Sequence, residues 1–216
     1  MHLVRRLAVT LTLALSTVGL SAAAAQAAPS AQDQTWMVTA HQGNLAEIAA
    51  GQAAVAQGAT DTVRRLGQML IADHTALDAN LTAAAGQLGV TLPGAPSPEQ
   101  QAELAAVTAK SGAAFDTAWV SSQIPAHRAT LAAGSTEVAT GSDPMVVALA
   151  SASAPVVQHH LDELLAAAPQ YGVPASVSAG TGGQAATSPR GLAAVLVLLG
   201  AVTVGLAGAR LLRRRA

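Results

Sequence analysis

His41, His74, His127 and His160 are spread along the chain at roughly one per helix-length of sequence. Imidazole both ligates first-row transition ions and exchanges protons near neutral pH, so recurring histidines are the first candidates for chemistry. Carboxylates stand close to two of them. Asp78 follows His74 by four residues, and Glu163 follows His160 by three. On a helix these spacings share a face. With Glu47 they define a candidate metal set of His74, His127, His160, Glu47, Asp78 and Glu163, suited to a divalent ion such as zinc, copper or iron. One shared ion requires imidazole nitrogens within about 7 Å of one another, given Zn–N distances near 2 Å. The His159-His160 doublet cannot supply two inward ligands, because adjacent helical residues diverge by about 100°.

A ferritin-type di-iron centre takes a glutamate from each of two helices and a Glu-x-x-His pair from the other two. Here Ile71 stands three residues before His74 and Val157 three before His160, so a di-iron oxidase is disfavoured. The competing reading makes the histidines a hydrogen-bonded polar layer. They would be satisfied by Glu47, Ser122, Ser153 or a carbonyl freed by Pro125 or Pro155, and would fix helix register. Other chemistry finds little support. The chain has no Gly-x-Ser-x-Gly elbow and no phosphate-cradling glycine loop. The absence of cysteine excludes disulfides and thiolate metal sites, and a formal charge of -1 offers no field for nucleic acid.

These side chains need helices to position them. The composition is 51% hydrophobic with only 2% aromatic residues, so a core must come from close helix contact through small side chains. Trp36, Phe115 and Trp119 are its expected anchors. The first helix is expected from about Gln34 to Gln57. A second follows the Thr60-Asp61 cap and ends at Gly89, and Val90 to Pro98 forms a loop. Ser97-Pro98-Glu99 opens a short helix to Lys110, with cap, first-turn proline and first-turn acid in order. Another runs from Ala113 to Thr140, and Ser142-Asp143-Pro144 starts the last, to about Ala168. Placed at helical phase, Val63, Leu66, Leu70, His74, Leu77, Leu81 and Leu88 share one stripe. So do Val146, Leu149, Ser153, Val157, His160 and Leu164. Met37, His41, Ile48 and Val55 form a third stripe, and Val120, Ile124, His127, Leu131 and Val138 a fourth. Pro125 is expected to perturb its helix, and Pro155 to bend or split its own.

The two ends read as membrane-directing. Arg5-Arg6, the apolar run Leu7 to Leu20 and Ala25-Gln26-Ala27 make residues 1–27 a secretory signal peptide. Leu192 to Ala209 is uncharged, and Arg210, Arg213, Arg214 and Arg215 follow. Residues 191–212 are therefore expected to span the membrane once, with 213–216 as a cytoplasmic basic tail and the preceding domain outside. Residues 33–170 form the domain, and 171–190, rich in Gly, Ser and Thr, a linker.

Asn44-Leu45-Ala46-Glu47-Ile48, Ile71-Ala72-Asp73-His74-Thr75, Phe115-Asp116 with His127 downstream, and Pro155 to Leu161 together resemble the DUF4142 family of exported bacterial proteins. The resemblance implies an all-α, ferritin-like four-helix bundle and implies no reaction; Glu47, His74, His127 and His160 occupy the family's recurring polar positions. The C-terminal anchor is no general feature of that family. The expected function is a membrane-anchored, extracytoplasmic structural or interaction module of the cell envelope, with envelope proteins as partners. The alternative is a metal-binding or redox stress-related domain using the core histidines.

Overall fold

The computed structural model describes residues 28–174. Among them are five α-helices and no strand: α1 (Ala31–Gln57), α2 (Asp61–Leu88), α3 (Pro98–Thr108), α4 (Gly112–Thr140) and α5 (Pro144–Ala167), followed by a 3-10 turn (Ala168–Tyr171). No described helix is long and apolar enough to cross a membrane. The signal peptide, most of the linker, the apolar span and the basic tail lie outside the described residues.

Local capping explains the boundaries. Thr60 accepts from the Val63 amide at the start of α2, and Gly89 closes that helix in the left-handed region at φ 68°. Ser97 and Gln100 form a capping box behind Pro98, and the Asp143 carboxylate accepts from the Met145 and Val146 amides. α1 begins earlier than expected, at Ala31, because Ser30 and Asp33 also make a reciprocal box, with aspartate in the position usually given to glutamate. α4 and α5 each run as one helix through Pro125 and Pro155, so of the two outcomes expected at Pro155, a bend or a split, the split does not occur.

α1 packs along α2 and α4, α5 packs along α4 and α2, and the short α3 lies on α1 and α4. The α1–α2 contact is close enough to exclude side chains. A Cβ on Gly51 would stand 2.6 Å from the Gly67 carbonyl oxygen, and one on Gly67 would stand 2.7 Å from the Gly51 carbonyl oxygen. This approach turns a small and polar face of α1 inward, burying Asn44, Glu47, Ala50, Gly51 and Ala54. The expected aliphatic stripes on α1 and α4 are only partly internal: Val55 is 37% and Val138 47% exposed.

Two buried carboxylates latch the ends. Asp116 accepts from the Ala59 and Thr60 amides and the Thr60 hydroxyl, tying α4 to the α1–α2 turn. Asp33 accepts from the amide and hydroxyl of both Ser30 and Ser142, tying the start of α1 to the α4–α5 turn. Burial alone would raise the Asp33 pKa, but these hydrogen bonds hold it well below the usual carboxylate range. Apolar residues form two clusters. One contains Leu66, Leu70, Phe115, Trp119, Ile124 and Leu164; the other contains Trp36, Met37, Leu81, Val146 and Ala150. A layer of polar side chains lies between them.

Candidate metal centre

Each histidine of that layer continues the apolar stripe of its own helix. On α2, His74 lies four residues beyond Leu70. On α4, His127 lies three beyond Ile124, and on α5, His160 lies four before Leu164. Helical phase therefore sends each ring into the core, where His74, His127 and His160 are 3%, 1% and 0% exposed. Their ring centroids stand 5.2 Å (His74–His160), 5.5 Å (His127–His160) and 5.9 Å (His74–His127) apart. One ring nitrogen from each lies within 4.8 Å of the others.

One nitrogen of every ring is held by an oxygen. His74 Nδ1 donates to Asn44 Oδ1 at 2.9 Å, and the Asn44 amide is oriented by its Nδ2, which donates to Asp78 Oδ1 at 3.5 Å. His127 Nδ1 donates to the Gln123 carbonyl oxygen at 2.9 Å. His160 Nε2 donates to Asp73 Oδ2 at 2.8 Å. A neutral imidazole has one N–H, so spending it on these acceptors leaves a lone pair on the other nitrogen. Those nitrogens, His74 Nε2, His127 Nε2 and His160 Nδ1, are buried and have no partner among the described residues. Each ring thus keeps one acceptor without a donor, inside a cluster where one ring nitrogen per histidine lies within 4.8 Å of the others.

A proton is a poor occupant. Burial pushes the His74 imidazole down to about 3, and the neighbouring His160 and His127 push the same way. Burial also takes His127 down to about 4 against the opposing Gln123 hydrogen bond, with His160 lowering it further. His160 is likewise lowered by burial, although Asp73 pulls it up. A transition ion fits the donor set better. Tetrahedral Zn–N bonds of about 2.0–2.1 Å place nitrogens roughly 3.4 Å apart, a short inward movement from the spacing present. The outer hydrogen bonds, to an amide, a carbonyl and a carboxylate, are the supports that metal-bound histidines use to fix tautomer and ring orientation.

The structure places the remaining candidates elsewhere. Asp78 accepts from His41 Nδ1 at 2.7 Å, and His41 Nε2 meets the Pro93 carbonyl at 2.9 Å, so this pair serves the α1–α2 face and the following loop. Glu163 pairs with Arg65 at 3.2 Å, partly exposed. Neither joins the three imidazoles. Glu47 is buried, with Oε1 3.8 Å from His127 Nδ1, the outer nitrogen of that ring, and Oε2 without a partner. Burial, reinforced by Glu103, raises its carboxyl to about 8. Sequence reasoning assigned no role to Asn44, Asp73 or Gln123. Asn44 and Asp73 act on rings from other helices, which no spacing reveals, and Gln123 contributes only a main-chain oxygen.

A crystal structure of a DUF305 fragment from Deinococcus radiodurans aligns with this chain at TM-score 0.60 and 14% identity, covering 67% of this chain and 99% of that one. At that identity the likeness is one of fold alone. No curated protein matches the sequence. Residues 18–166, more than half of the chain, match the family described as domain of unknown function (DUF4142), and the protein belongs to that family.

Proposed function

We propose that the four long helices form a ferritin-like bundle that holds one first-row transition ion on His74, His127 and His160. The observation that carries this reading is a buried cluster of three histidines, with one ring nitrogen from each within 4.8 Å of the others and, among the described residues, one nitrogen of each ring without a partner. Neutral imidazoles without thiolate suit zinc, copper or iron, and a bound ion would supply Lewis acidity or, for copper and iron, electron transfer. Asn44, Asp73 and the Gln123 carbonyl hold the rings, and Asp73 brings the nearest hydrogen-bonded negative charge. The sequence signals at both ends support a location outside the membrane, with the domain tethered by residues 191–212.

A structural polar layer is the second reading. It is favoured by the His74–Asn44 and His160–Asp73 bonds, which cross between helices and would fix register without an ion. Elemental analysis of the purified full-length chain, beside a His74→Ala/His160→Ala variant, separates the two. Stoichiometric metal that disappears in the variant supports the metal centre. Absence of metal after reconstitution with zinc, copper and iron leaves the polar layer.

A further inference from the structure

On the side of the histidine layer away from Trp119 lies a cavity of about 100 Å³. Its lining moves away from the layer in the same direction on all four long helices. On α1 it runs from Glu47 back to Trp36, and on α2 from His74 forward to Leu81. On α4 it extends forward from the His127 level to Ala133, and on α5 from Val157 back to Leu149. Its walls are mainly Trp36, Leu81, Leu149 and Val157, while His74 and Glu47 bound the polar end. Among the described residues, no lysine or arginine lines it. The Glu47 Oε2 atom is buried and unpartnered, and a buried polar atom in that condition is destabilising until something hydrogen-bonds to it.

These features select an occupant. An anion would find no counter-charge, and any full charge would lose its hydration against apolar walls. Glu47 offers a buried oxygen without a partner among the described residues to a hydrogen-bonding head. For scale, an apolar protein cavity of roughly 150 Å³ accommodates benzene, so this one suits a smaller ring. We infer that the cavity is a binding site for a small uncharged molecule, the size of a five-membered ring, with one hydrogen-bonding head directed at Glu47 and an apolar body against Trp36 and Leu149. This goes beyond the metal reading and stands whether or not the histidines hold an ion.

The test is a titration of the metal-free, full-length chain with pyrazole, a neutral azole, followed by tryptophan fluorescence and ligand-observed NMR. Acetate and methylammonium serve as charged probes of similar size. The expected result is saturable one-site binding of pyrazole, with neither ion competing. Filling the cavity by Leu149→Phe, or by Val157→Phe from another turn of α5, should abolish it, and Glu47→Leu should weaken it about tenfold. Unfolding curves identify the filled variant that remains folded, and that variant is used. Lack of saturable pyrazole binding overturns the inference. So does binding indifferent to a folded, cavity-filling variant, or tighter binding of either ion. Because pyrazole is measured without metal, and metal content is measured separately on the same variants, failure here is distinct from failure of the metal centre.

Discussion

At the scale of single residues, the outer hydrogen bonds decide what the inner nitrogens can do. Asn44, the Gln123 carbonyl and Asp73 accept from the three imidazoles, which leaves a lone pair on each inner nitrogen. Removing an acceptor frees a ring to change tautomer or rotate. Asn44→Leu and Asp73→Leu should therefore each weaken metal affinity by roughly 10–100-fold, the usual effect of losing such a support. Competition with a chromophoric chelator would measure this, with the urea midpoint checking that each variant folds. Glu163→Gln is the control. Its partner Arg65 is on the surface, so affinity should be unchanged and stability should move by no more than about 1 kcal/mol.

At the scale of elements, close approach in an alanine-rich domain substitutes for large side chains. The Gly51–Gly67 contact brings the α1 and α2 backbones together, and by rotating α1 it sets which face carries Asn44 and Glu47 inward. A methyl on Gly67 would meet the Ala54 Cβ at 2.6 Å, so Gly67→Ala should destabilise the protein by about 1–3 kcal/mol. Gly86 lies on the same helix with nothing within 4 Å of an added Cβ. There Gly→Ala should stabilise by about 0.5–1 kcal/mol, since the helix gains propensity at no steric cost. Thermal or urea unfolding of the two variants should thus show shifts of opposite sign on α2.

At the scale of the whole molecule, burying this layer ties stability to pH. His74 and His127 fall from an ordinary 6.5 to about 3 and about 4. Between those values and 6.5 the unfolded chain binds more protons than the folded one. Their contribution is present above pH 6.5 and is lost as pH falls toward 4. Glu47, raised from 4.5 to about 8, acts oppositely: its contribution is full below pH 4.5 and lost as pH rises to 8. In the acid window the histidines outnumber it. Asp33, held low, adds a loss below about pH 3.9. The urea midpoint of the metal-free chain should fall from pH 6.5 to 4, and His74→Asn should flatten that slope. Bound metal should steepen it, because protons then compete with the ion.

Much of the helical plan was legible in the sequence because caps and phase are local. Thr60, Ser97, Asp143 and Gly89 mark ends through bonds to residues a few positions away, and the stripes of α2 and α5 carry His74 and His160 into the core. The unbroken path of α4 and α5 through Pro125 and Pro155 was not legible, since tertiary packing offsets a local cost. Nor was the fate of the carboxylates. Asp78 and Glu163 share a helical face with a histidine, yet His41 and Arg65 take them. The sequence alone determined the helices, their order and the inward phase of three imidazoles, because these depend on short-range geometry. Only the tertiary structure decided that the three rings would cluster and that Asn44, the Gln123 carbonyl and Asp73 would each hold one of them. That outcome depends on how the helices rotate and approach, and their approach rests on contacts between residues far apart in the chain.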